Sequence, residues 1–126
     1  DVDHVWASIR AQTSSITSSD RRLKNNIVNI PEEYEQFFDG LNPVSFKYND
    51  GSSDRNHLGF IAQDVETSLN NAGIDTKDFA GICIGNDDDK TYSLRYEEFI
   101  PLNTFEIQKL KKRVEELEIK LNKLSK

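Results

Sequence analysis

The run Ile107-Gln108-Lys109-Leu110-Lys111-Lys112-Arg113-Val114-Glu115-Glu116-Leu117-Glu118-Ile119-Lys120-Leu121-Asn122-Lys123-Leu124 returns to an apolar residue at intervals of 3, 4, 3, 4 and 3. That spacing predicts a helix with Ile107, Val114 and Leu121 at the a positions and Leu110, Leu117 and Leu124 at the d positions of a heptad. Such a helix cannot cover its own stripe. It must pack either on its own domain or on copies of itself. Between parallel copies, Glu106 would meet Lys111 and Arg113 would meet Glu118, both pairs of opposite charge. Fewer than three full heptads is short for an independent coil, so a globular body should prop it. Branched residues at a with Leu at d favour two strands by the general rule, and the coil by itself does not decide the number of chains.

Working outward from this helix, the preceding residues read as alternating short strands and helices. Gly81–Ile84 and Thr91–Tyr96 predict a hairpin joined by Gly85-Asn86-Asp87-Asp88-Asp89-Lys90. That acidic run lacks the alternating ligands and terminal Glu of an EF-hand loop and reads as a solvated turn. Gln63–Asn71 has Val65 and Leu69 four apart, a short helix ending near Gly73. Val44-Ser45-Phe46-Lys47-Tyr48 alternates as a strand does, and Asn49-Asp50-Gly51 signals a turn. His57–Ala62 is then its hairpin partner. Pro31-Glu32-Glu33 opens a helix that should bury Tyr34, Phe37 and Phe38 and stop at Gly40. Asp20 can cap a short turn through Leu23. The expected fold class is therefore α+β: a small globular domain of hairpins and short helices projecting a long C-terminal coiled-coil helix. The division is 1–18, 19–100 and 101–126.

Residues 1–18 differ in character. Val2, Val5, Trp6, Ile9 and Ile16 are scattered among polar residues, and Thr13–Ser19 is rich in small hydroxyl side chains. This segment has no core of its own and reads as extended chain, a linker or the end of a stalk in which Trp6 packs. The chain begins at Asp1, without Met, and is expected to be the C-terminal end of a larger protein.

Composition narrows the function classes. The chain has 126 residues and a net charge of -6, which argues against nucleic acid as a partner. The charge is uneven: seven Lys/Arg and four Glu from Phe105 to Lys126 make the helix +3, leaving -9 on residues 1–104. No segment has the length of a membrane span, and the polar N-terminus has no signal-peptide core. Cys83 is the single cysteine and is expected to be a buried, inert thiol. His4 and His57 are far apart, so no metal site is expected, and no cofactor.

The chemistry-bearing residues are Ser19 and Lys24, in Ser18-Ser19-Asp20-Arg21-Arg22-Leu23-Lys24. A serine hydroxyl becomes a nucleophile when a base takes its proton. A lysine can do so only as the neutral amine, which burial or nearby positive charge such as that of Arg21 and Arg22 favours. Ser-Lys pairs are one variant of the serine triad. Residues five apart do not share a helix face, so a turn must bring them together.

The run Ser19-Asp20-Arg21-Arg22-Leu23-Lys24-Asn25-Asn26-Ile27 resembles the signature of the self-cleaving intramolecular chaperone domains of phage endosialidases, tailspikes and neck appendages, to which a domain of myelin regulatory factor is related. The resemblance continues through Leu41–Tyr48, His57–Val65 and Leu94-Arg95-Tyr96, and through Ile100-Pro101-Leu102 into the helix. It implies a homotrimer that registers and folds the fibre stalk upstream in the host cytoplasm during virion assembly. It also implies release of the domain by autoproteolysis, leaving the upstream part in the phage tail or fibre. Carried over, Ser19 is the nucleophile, Lys24 the general base and Ser18–Ser19 the scissile bond. His57 is either a hydrogen-bonded structural histidine or a contact of the cleavage site, and Asn25 and Gln63 are candidates for carbonyl or oxyanion contacts. The other reading is a C-terminal trimerisation and attachment module that does not cleave.

Overall fold

The structure, a computed structural model, describes residues 8–10, 15–51 and 53–125, and the side chains of residues 16–51 and 53–125. His4, Trp6 and the other apolar residues ahead of Ser8 lie outside the described residues, as do Thr13 and Ser14. Strand β1 (Ser8–Arg10) pairs antiparallel with β2 (Ser15–Thr17), Ile9 opposite Ile16. The extended chain expected before Ser19 is thus paired where it is described.

Helix α1 (Glu33–Asp39) starts two residues after Pro31, with Glu33 and Glu35 in its first turn complementing the helix dipole. It buries Phe37 and half-buries Tyr34 and Phe38. It stops at Gly40, but Gly40 is not left-handed (φ -86°). The requirement there is closeness: the Ser68 hydroxyl donates to the Gly40 carbonyl at 2.8 Å, and a Cβ on Gly40 would sit 2.8 Å from that Oγ.

Strands β3 (Val44–Phe46) and β4 (His57–Gly59) form the expected hairpin, with Phe46 opposite His57. The connection is longer than Asn49-Asp50-Gly51 suggested. The ladder closes at Phe46–His57, so residues 47–56 form the loop, where Lys47 Nζ meets Asp54 Oδ1 at 3.1 Å. Helix α2 (Ala62–Asn71) ends in a Schellman motif. Gly73 is left-handed (φ 76°), its N–H bonds Asn70 O at 3.1 Å, and Ile74 N–H bonds Leu69 O at 2.9 Å. Ile74 and Leu69, joined by that bond, are both in the core.

Strands β5 (Ile82–Ile84) and β6 (Tyr92–Leu94) make the second hairpin. In its turn Asp87 acts on the backbone, accepting from Thr91 N–H at 3.4 Å, while Lys90 takes a left-handed φ of 45°. Cys83, expected to be buried, is half-buried. Tyr96 leaves the strand for a 3₁₀ turn, Tyr96–Glu98, that leads directly into α3 (Phe99–Leu124).

The core lies where α1, α2, β5 and the first turns of α3 meet. Phe37, Val65, Leu69, Ala72, Ile74, Phe79, Ile82, Phe99 and Leu102 are buried together. Phe79 sits edge-on to both Phe37 (5.3 Å between centroids) and Phe99 (5.4 Å), the arrangement aromatic quadrupoles favour. Of the 26 residues of α3, only Phe99, Leu102 and Glu106 are buried. The helix is about 39 Å long and outruns the body. Its heptad residues, Ile107, Leu110, Val114, Leu117, Leu121 and Leu124, are 47 to 84% exposed.

Glu106 departs from the coiled-coil expectation. Rather than facing Lys111 of another chain, it is 6% exposed, near Glu35 and Asp39 of α1, and its Oε2 has no hydrogen-bond partner. Desolvation first, then the neighbouring carboxylates, raise its pKa against the opposing pull of Lys109. Lys109 itself donates to Glu35 Oε2 at 2.9 Å.

Candidate functional site

The candidate site is the turn that follows β2. Asp20 is extended (φ -67°, ψ 135°) and caps the 3₁₀ turn Arg21–Leu23, accepting from Arg22 N–H at 2.8 Å. The same carboxylate takes the Arg22 guanidinium as a fork, Nε at 3.1 Å to Oδ1 and Nη2 at 2.9 Å to Oδ2. Backbone bonds close the turn: Leu23 N–H to Asp20 O at 3.0 Å and Lys24 N–H to Arg21 O at 3.1 Å. Lys24 then returns to an extended conformation (φ -121°, ψ 155°). Two residues on, Asn26 is left-handed (φ 51°), a conformation asparagine tolerates.

The tight turn solves the spacing problem that an α-helix would not. Lys24 Nζ donates to Ser19 Oγ at 2.7 Å. Nucleophile and base candidates therefore lie within hydrogen-bond reach, with Ser18 immediately on the N-terminal side. The electrostatics differ from the expectation in one respect. Arg22 is committed to Asp20, which its guanidinium and backbone N–H hold below the usual carboxylate range, while the ion pair raises Arg22. Arg21 has no ion-pair partner among the described residues.

The whole segment 16–29 is exposed, including the apolar side chains of Leu23, Ile27 and Val28. The other candidates are not gathered to the pair. His57 is exposed on β4, stacked on Phe46 (5.6 Å) with Tyr48 edge-on (5.0 Å). It takes part in no side-chain hydrogen bond among the described residues. Gln63 lies in the first turn of α2 and lines a cleft with Phe46, Phe60, Lys90, Tyr92 and Tyr96. Asn25 is exposed beside Lys24, and neither amide bonds Ser19 among the described residues. The sequence reading missed the Asp20–Arg22 fork, whose signal was an acid and an arginine two apart around a cap. It also missed the Tyr96 hydroxyl, which accepts from Phe60 N–H at 3.1 Å and ties β4 to the root of α3.

Residues 19–74 match the peptidase S74 family model, described as chaperone of endosialidase. The match begins at Ser19 and takes in Lys24, the β3–β4 hairpin and α2. This part of the chain resembles an endosialidase-type chaperone domain. The fold is similar to that of a solved chain described as a novel intramolecular chaperon. The TM-score is 0.64 at 19% identity, covering 75% of this chain and 99% of that one. No curated protein matches the chain's sequence. Among the described residues, no helix is long and apolar enough to cross a membrane.

Proposed function

We propose that this domain drives trimerisation and folding of a phage tail-fibre or tailspike stalk upstream, and then releases itself by breaking the Ser18–Ser19 bond. The carrying observation is the 2.7 Å contact of Lys24 Nζ with Ser19 Oγ, in a family whose name is that of a peptidase. Ser19 Oγ attacks the Ser18 carbonyl carbon while its proton passes to the neutral Lys24 amine. The C–N bond breaks, and Lys24 returns the proton to the departing Ser19 amine. The resulting Ser18 ester takes up water, leaving a Ser18 carboxylate and restoring the Ser19 hydroxyl.

In the isolated chain the amine donates to the hydroxyl in open solvent. Subunits packed over Leu23, Ile27 and Val28 would strip that water, favour the neutral amine and fix the preceding carbonyl. The exposed stripe Ile107–Leu124 gives those subunits a means of association. Cleavage would then follow assembly and make it irreversible. The partners are copies of this chain and the stalk it precedes in folding, in the host cytoplasm, with no nucleic acid, membrane or cofactor.

The test is the intact mass of the wild-type chain beside Ser19→Ala and Lys24→Ala. A fragment starting at Ser19 in the wild type, absent from both variants, is the expected result. An uncut wild-type chain in a folded trimer would leave a trimerisation and attachment module without proteolysis.

A further inference from the structure

Within this turn, one carboxylate makes more bonds than any other group near the pair, and the reaction does not consume it. Asp20 Oδ1 accepts the Arg22 backbone N–H (2.8 Å) and Arg22 Nε (3.1 Å); Oδ2 accepts Nε (3.3 Å) and Nη2 (2.9 Å). Backbone and side chain of the same arginine are thereby tied to the residue that directly follows Ser19. Each end of the tie borders the reacting pair: Asp20 is bonded to Ser19, and Arg22 is separated from Lys24 by Leu23 alone. We propose that Asp20 is the positioning residue of the self-cleavage reaction, its carboxylate clamping Arg22 so that the turn presents Lys24 Nζ to Ser19 Oγ.

The inference rests on the reading of Ser19 and Lys24 as the reacting pair. Geometry separates Asp20 from an ordinary surface ion pair. An exposed pair of this kind contributes little to overall stability, and no core residue depends on it. What it restricts is local: the approach of two residues five apart that no helix face would bring together. A proximity effect of this sort acts on rate and leaves the fold untouched. The clamp also commits the Arg22 guanidinium to Asp20, which makes Arg22 a strut.

Variants separate the parts of the clamp. Asp20→Ala removes cap and fork and should slow cleavage by about a hundredfold, with the assembly state unchanged by sedimentation. Asp20→Asn keeps an acceptor for the Arg22 N–H and should recover most of that loss, to within about tenfold of wild type. Arg22→Lys keeps the charge without the fork and should lie between them. In the uncleavable Ser19→Ala background, Asp20→Ala should speed amide exchange at Leu23 and Lys24, the two N–H groups that close the turn, by at least about tenfold. A wild-type chain that cuts itself beside an Asp20→Ala chain that cuts equally fast overturns the role of Asp20 alone. Equal loss in Asp20→Ala and Asp20→Asn with unchanged amide exchange also overturns it. An assembled wild-type chain that never cuts overturns the self-cleavage reading, and this role with it.

Discussion

The body and the reacting segment of this chain are built on opposite terms. Phe37, Val65 and Leu69 are fully enclosed by their own chain, and α2 ends in a Schellman motif that satisfies its last carbonyls. From Ile16 to Asn29 nothing is enclosed, and the Ser19–Lys24 contact is held by one tight turn in solvent. The stripe of α3 belongs with the second region: it begins where the buried stripe Phe99, Leu102 and Glu106 ends. A body with its own buried core can leave other surfaces exposed for further copies to cover. That division fits the proposed function, in which the chemistry waits for assembly.

Four substitutions test the division, in descending order of effect. Phe37→Ala should destabilise the body by about 3–5 kcal/mol in denaturant unfolding, because it opens a cavity at the centre of the aromatic cluster. Leu117→Asp should leave that unfolding curve unmoved. It should raise the concentration for half-assembly in sedimentation by at least about tenfold, since a charge replaces a d-position leucine. Cleavage should fall with it although the dyad is untouched. Gly59→Ala should cost about 1–3 kcal/mol: a Cβ there would collide with the Tyr96 hydroxyl, and the Phe60 N–H bond to that hydroxyl would be displaced. Its effect on the circular dichroism melt should exceed its effect on assembly.

The smallest effect is at Glu106, at the junction of the two regions. A carboxyl whose folded-state pKa is raised binds its proton more tightly when folded. Its contribution is present below the usual carboxylate pKa and is lost as pH rises through the raised value. Glu106→Gln should therefore raise the melting temperature at pH 7 by roughly 2–5 °C. The gain should shrink on acidification toward about pH 4.

Where local chemistry decides, the sequence was legible. Gly73 ends α2 as a left-handed glycine must, Asp20 caps its turn, and the 3-4 spacing of Ile107–Leu124 marks the helix. Where two distant elements decide, it was not. Gly40 is small because Ser68 approaches it from α2, and Asn49-Asp50-Gly51 sits inside a wider loop because β3 stops pairing at Phe46. Glu106 reads as a coil position until α1 packs over it. At the site, the residue types at 19 and 24 named the pair, but their meeting depends on backbone angles from Asp20 to Lys24. The stacking of His57 on Phe46 depends on cross-strand register, which a one-residue slip would abolish.

The central claim is that Ser18–Ser19 breaks only in assembled chains. The most direct test refolds the wild-type chain from denaturant over a range of concentrations, following sedimentation and intact mass together. The expected result is a fragment beginning at Ser19 whose rate of appearance tracks the assembled fraction and vanishes where the chain is monomeric. The same fragment forming at the same rate in monomers would contradict it.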